Sequence, residues 1–371
     1  MAARFFVDGG VDNNWGTTGN WSTTSGGAGG SAVPTASDDV TLDSAGNVPC
    51  TLNTTNRVCK SITITAGYTA TLNIATFNLT VSGLINMGAN VTLAGTGTLI
   101  GQTTATHTSN GKVVNIKVTF QGGATHTLAD VWNISGTLSL GSSITTTTVN
   151  GNSINASGSF NAGVGTNVLG TTQLNLTGTG TWTSTGSGGL RLSVNINTSG
   201  TITMSGNIRY NTGTFTYTTG TVIATGSTLT FATAAPTINI NGAGLTLGTV
   251  NPQVSMSFGG TSGFSMQTFT CTTAGLTITW KSGLTYTITT SITVTGTIVA
   301  PSSVSFVAST GGSQAFINLL DGAAQDIAFC NATDIGRTAG QKIYARNGTL
   351  SNTTWIALVP SVLKRGYAST F

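Results

Sequence analysis

Glutamate is missing from this sequence altogether, and charge of either sign is scarce. Thirteen Lys plus Arg and nine Asp make up 6% of 371 residues, against about 25% in ordinary soluble domains. Residues 210–280 hold no charged side chain. That scarcity removes most of the groups that acid–base catalysis draws on. The cations are scattered, and Lys364 and Arg365 alone are adjacent, so no basic stripe invites nucleic acid. Cysteine is limited to Cys50, Cys59, Cys271 and Cys330, with no CxxC pair and no zinc spacing; the four read as buried small thiols. No apolar run approaches the ~18–20 residues of a membrane span. The first residues lack the apolar stretch of a signal peptide. A chain folded in a cytoplasm, with no membrane insertion, is the expectation.

What remains is a repeated instruction. Thr71-Leu72-Asn73-Ile74, Phe77-Asn78-Leu79-Thr80-Val81-Ser82-Gly83 and Asn90-Val91-Thr92-Leu93-Ala94-Gly95 each alternate a polar side chain with an apolar one and then turn. Period-two alternation of β-branched residues specifies half-buried strands. Apolar pairs near 62–64, 72–74, 77–81, 84–87, 91–93 and 98–100 put strand centres about seven residues apart. Three such strands give a unit of about twenty residues, the length of one parallel β-helix rung. Turn phrases recur at Val81-Ser82-Gly83, Ile134-Ser135-Gly136 and Met204-Ser205-Gly206, where Gly admits φ > 0 at little cost. Thr106-His107-Thr108 and Thr125-His126-Thr127 read as equivalent positions on neighbouring rungs, forming a surface Thr/His ladder; a metal pair lacks a third ligand. The predicted class is all-β, a parallel β-helix. The alternative is a stack of antiparallel β-sandwiches, for which the Asn-Gly hairpin signals at 110, 150 and 241 are few.

Composition divides the chain into three regions. Residues 1–49 hold Trp15, Trp21, Pro34, the Gly-rich run 26–30 and five of the nine Asp residues. Residues 50–310 are the repetitive body. Residues 311–371 regain charge and read as a cap or oligomer clasp, since solenoids need atypical ends. Few carboxylates serve chemistry: between Asp43 and Asp321 only Asp130 occurs, whereas glycoside hydrolysis uses two across a groove. Asp8, Asp12, Asp38, Asp39 and Asp43 do not follow a calcium-loop spacing and read as Asx turns and caps. No catalytic residue, cofactor or metal ligand is assigned.

The stretch Asn13-Asn14-Trp15-Gly16-Thr17-Thr18-Gly19-Asn20-Trp21-Ser22, followed by Ser25–Thr35 and Asp38-Asp39-Val40, resembles the opening of a group of tailed-bacteriophage virion proteins. The late Gly348-Thr349-Leu350-Ser351-Asn352-Thr353-Thr354-Trp355 is similar to the same group. The resemblance implies a β-solenoid fibre, spike or head-decorating protein without catalytic residues. Its expected location is the virion, and its expected partners are capsid or tail proteins and itself, as a homotrimer. A host surface glycan is a further expected contact of a fibre or spike. Region 1–49 is the expected docking segment, with Trp15, Trp21, Asn20, Pro34, Asp38 and Asp39 as candidate interface residues. A β-helical glycan-degrading enzyme and a bacterial surface adhesin are the alternatives.

Overall fold

In a computed structural model, residues 2–7, 9, 12–141, 146–163, 168–184, 189–297 and 303–358 are described. Asp8, Lys364 and Arg365 lie outside them. Strands take 53% of the chain, no α-helix occurs among the described residues, and the strands wind a parallel β-solenoid of about 13 turns with ~22-residue rungs. The chain divides into two compact units, Met1–Ala232 and Thr233–Phe371.

The alternation seen in the sequence becomes columns because each strand stacks in register on the next turn. In the first unit one interior column runs Leu79, Leu99, Val118, Leu138, Phe160, Trp182, Met204. A second runs Val114, Ile134, Ala156, Leu176, Ile196, Tyr217. Every member is buried. Each Leu, Ile or Phe removed from water contributes about 1.5–3 kcal/mol. A one-residue slip would turn a whole column outward, so burial itself fixes the register. The first unit also carries a short third sheet, Cys50–Thr51, Thr71–Asn73 and Thr92–Ala94. Further along, consecutive strands such as Trp132–Ile134, Leu138–Leu140 and Thr147–Gly151 supply the three strands of one rung.

Turns between strands are tight. A Cβ on Gly97 would lie 1.8 Å from the Phe77 carbonyl oxygen, so the backbone of one rung touches the next there. The N-terminal end is closed differently. Ala3–Phe6 stacks parallel on Asp39–Leu42, and Trp21–Ser22 pairs antiparallel along its outer edge. That reversed strand covers a row of N–H and C=O groups that would otherwise template another chain. Residues 1–49 thus supply strands to the first sheet as well as loops.

The second unit repeats the scheme with columns Met256, Ile278, Phe306, Ala332, Leu350 and Leu247, Met266, Ile288, Leu319. Aromatic rings cluster in its interior: Trp280 stacks on Phe258 at 4.4 Å between ring centroids and meets Tyr286 edge-on at 4.9 Å. Aromatic pairs of this kind contribute about 0.5–1.5 kcal/mol beyond their area.

Candidate functional site

The N-terminal segment is built on a buried aromatic pair. Trp15 and Trp21 are both 0% exposed. Their rings meet edge-on at 4.9 Å, Phe6 lies 5.2 Å from Trp21, and Trp21 Nε1 donates to the Trp15 carbonyl. The two candidate interface rings are therefore part of the core of this segment, buried together with Phe6, Val7, Val40 and Leu42. Asn20 is also buried, donating from Nδ2 to Asp12 Oδ1 (2.8 Å) and to the Asn14 carbonyl (2.9 Å). Pro34 is buried as well. What the segment leaves outside is the loop Thr23–Gly30, exposed but for Gly27.

The aspartates of this segment serve as acceptors at turns. Asp12 gathers the Asn14 N–H, Asn14 Nδ2, Thr17 Oγ1 and Asn20 Nδ2. Donation from the Asn14 backbone, with help from Thr17, Asn14 and Asn20 against a smaller desolvation, holds its carboxyl below the usual range. Burial opposes the charge on Asp38, but Thr35 Oγ1, the Thr35 and Ala2 N–H groups and nearby Arg4 outweigh it, and this carboxyl too is held low. Asp39 accepts from Lys60 Nζ at 3.2 Å and from Ser61 Oγ. Asp43 caps the short 3-10 turn Ser44–Gly46. Asp12, Asp38 and Asp43 are thus the turn and cap acceptors the spacing suggested, whereas Asp39 lies on a strand and pairs with Lys60; among the described residues no group of three metal-ligating side chains converges.

Asp130 is committed in the same way. It accepts from the Ser109 N–H (2.8 Å), Ser109 Oγ (3.1 Å) and the Asn110 N–H of the preceding rung. Asn110 sits at φ 51° there, so the carboxylate staples a left-handed turn to its neighbour. Acceptor capacity filled by backbone donors is poorly placed to deliver a proton to a ligand.

His107 and His126 differ from the expectation. Each is 0% exposed. Thr106 is opposite Thr127 and His107 opposite Leu128, so equivalent positions lie 21 residues apart and the histidines are diagonal neighbours. Both face inward, His107 within the column Val40, Ile62, Ile85, His107, Leu128. They stack at 5.2 Å beside Phe120. The surface ladder is thus an interior pair, because the inward parity of these strands carries the imidazoles with the aliphatic positions.

Their tautomers follow from their partners. The Ile85 N–H donates to His107 Nδ1 (3.2 Å), so the His107 proton is on Nε2. That Nε2 donates to His126 Nδ1 (3.0 Å), and His126 Nε2–H donates to the Gln121 carbonyl (2.9 Å). Every ring nitrogen is used once, and only if both rings are neutral. Burial and the neighbouring His126 lower His107 to about 3. Burial lowers His126, partly offset by its bond to Gln121.

The outer surface carries a feature that residue-by-residue reading missed. Asn133, Asn155, Asn175 and Asn195 stack in register on four successive turns. Asn155 Nδ2 donates to Asn133 Oδ1 and Asn175 Nδ2 to Asn155 Oδ1, both at 2.9 Å. The signal was present: Asn between two inward apolar residues at steps of 20–22. A parallel column runs Thr80, Ile100, Thr119, Ser139, Asn161, Thr183. In the second unit a shallow depression of about 360 Å³ is lined by Thr246, Ser265, Thr285 and Thr287 with Gly244 and Gly263. Its lining offers hydrogen bonds and no ionisable group.

The four cysteines are free and buried. Burial pushes Cys271 up to about 12; burial and nearby Asp39 do the same for Cys59. No family model, curated protein or solved structure matches the chain.

Proposed function

We propose that this chain is a structural, non-enzymatic protein of a tailed-phage particle, either decorating the capsid or forming a short fibre or spike, and self-associated as a homotrimer. One observation carries the structural reading. The outward columns are mostly hydroxyl and amide side chains held in register, while Asp12, Asp38, Asp39, Asp43 and Asp130 are taken up as acceptors at turns and between rungs. Such a surface changes little with salt or pH because little on it titrates. The assignment to a phage rests on the N-terminal resemblance over Asn13–Val40.

Docking falls to the exposed Thr23–Gly30 loop, with Trp15 and Trp21 as the rigid core beneath it. Backbone-rich, Gly-rich loops adapt to a partner, and a locked base keeps the ordering cost low. The test is to add the purified full chain to particles assembled without it. Saturable binding that is lost when residues 25–30 are replaced by Asp-rich sequence supports the proposal. Failure to bind any particle component, together with release of reducing ends from surface polysaccharide, refutes it in favour of a glycan-cleaving enzyme.

A further inference from the structure

Two arginines in the first unit, Arg191 and Arg209, have no acidic partner among the described residues. Leu190 is paired in parallel with Tyr210, through the Leu190 N–H to the Arg209 carbonyl (2.9 Å) and the Asn211 N–H to the Leu190 carbonyl (2.8 Å). Leu190, Leu192, Ile208 and Tyr210 point inward and are buried. Arg191 and Arg209 therefore face outward from adjacent turns, at diagonal positions roughly 7–8 Å apart.

The sequence supplies no neutralising charge. No Asp occurs between Asp130 and Asp321. Asp130 lies beside Trp132, and the column Trp132, Ile154, Leu174, Val194 places it three turns from Arg191. Three strand spacings amount to about 14 Å, beyond the screening length of about 8–10 Å at physiological salt. Two like charges thus stand side by side uncompensated.

The local packing is arranged around them. The Asn211 amide lies across Gly189, where a Cβ would come within 1.8 Å of Asn211 Nδ2. Asn211 Oδ1 accepts from Arg209 Nε at 3.4 Å, which leaves the two Nη groups of that guanidinium for other acceptors. Arg191 Nε is buried and has no acceptor. A buried cationic N–H without an acceptor costs more than a neutral one.

We propose that Arg191 and Arg209 form an oxyanion-binding site, taking one phosphate, sulfate or carboxylate group between their guanidiniums. Planar guanidiniums bind such groups through two parallel bonds, which an ammonium does not reproduce. The site is independent of the proposed role on a particle.

The full-length protein is titrated with inorganic phosphate, ionic strength being held constant with sodium chloride, and Tm is followed. The expected result is a saturable rise in Tm that chloride alone does not give. It is abolished in Arg209→Gln and retained in Lys112→Gln, a cation elsewhere on this unit. In Arg191→Lys, which keeps the charge and loses the fork, the apparent affinity falls roughly tenfold. Repeating the titration with sulfate and with acetate ranks the three sources of oxyanion. A phosphate response equal in Arg209→Gln and the unsubstituted protein, or none beyond chloride, overturns the site. If Arg191→Lys does not fold, Arg209→Gln decides the matter alone.

Discussion

Acid should unfold the first unit through its two histidines, and the window in which it does so is unusually clean. The chain has two His and no Glu. The described carboxyls that shift, Asp12, Asp38 and Asp334, are held below their ordinary value of 3.8. They stabilise the fold above that value and lose their contribution only below it. Between about pH 7 and pH 5 the side chains that change charge are therefore the two imidazoles. An unfolded His takes up a proton near 6.5, whereas His107 in the fold does so only near 3. The unfolded state binds more protons throughout that interval, so stability falls as pH falls. For His107 alone the loss is about 2 kcal/mol at pH 5 and about 4 kcal/mol at pH 3. His126 adds to it with the same sign.

The geometry gives the cause. Protonating His107 puts a hydrogen on Nδ1, against the Ile85 N–H that now donates to it. A second proton would leave two cationic rings with nitrogens 3.0 Å apart, inside a column of Ile and Leu. Urea unfolding followed by tryptophan fluorescence, at pH 7, 6 and 5, measures the effect; Trp132 lies 5.4 Å from Phe120 at this site. The stability should drop by about 2 kcal/mol or more across the series. A double substitution, His107→Leu with His126→Leu, should flatten the dependence. An unchanged stability between pH 7 and 5, or the same slope in the double variant, refutes the neutral-pair reasoning.

Other expectations follow from single contacts. Gly97→Ala, whose Cβ would meet the Phe77 carbonyl at 1.8 Å, should lower Tm strongly or prevent folding, whereas Gly311→Ala, with nothing within 4 Å, should leave Tm unchanged. Asn155→Leu removes both a donor to Asn133 and an acceptor for Asn175 and should cost about 1–2 kcal/mol in urea unfolding. Asp130→Asn should destabilise by a similar amount, since a carboxylate that receives two backbone N–H groups becomes an amide with one acceptor oxygen. All four thiols should resist a thiol reagent at neutral pH in the native protein and react fully in denaturant, because burial keeps them protonated.

The solenoid was legible because its two rules are local: alternate the side chains, then turn. Leu79, Leu99 and Val118 could be recognised as column members from parity and a step of 19–20, and the structure stacks them so. His107 and His126 were harder. Their spacing of 19 matched the rung length, but the register in that sheet is 21, and polarity argued for an outward position. Parity outranked polarity, since an alternating strand cannot turn one residue without turning the rest. The burial of Trp15 and Trp21 was not legible for a related reason. An irregular, Gly-rich segment gives no periodicity from which to read a facing, so burial there depends on Phe6 and Trp21 meeting in space.

The carboxylates complete the argument about what this surface can do. A stacked rung satisfies its strand N–H groups through the ladder, but its turns leave donors over. Asp130 fills that need at Ser109 and Asn110, Asp43 at Ala45 and Gly46, and Asp334 at Gly312. Asp334 itself adopts φ 57°, so it stabilises one turn while forming another. A short polar acceptor that reaches its own or a neighbouring turn does this work better than Glu, whose longer side chain loses more rotamer freedom when fixed. The absence of Glu and the siting of Asp thus have one physical origin. Asp43, Asp130 and Asp334 are turn residues first, Asp39 and Asp326 sit on strands paired with Lys60 and Arg346, and the outer columns are left mostly to hydroxyls and amides.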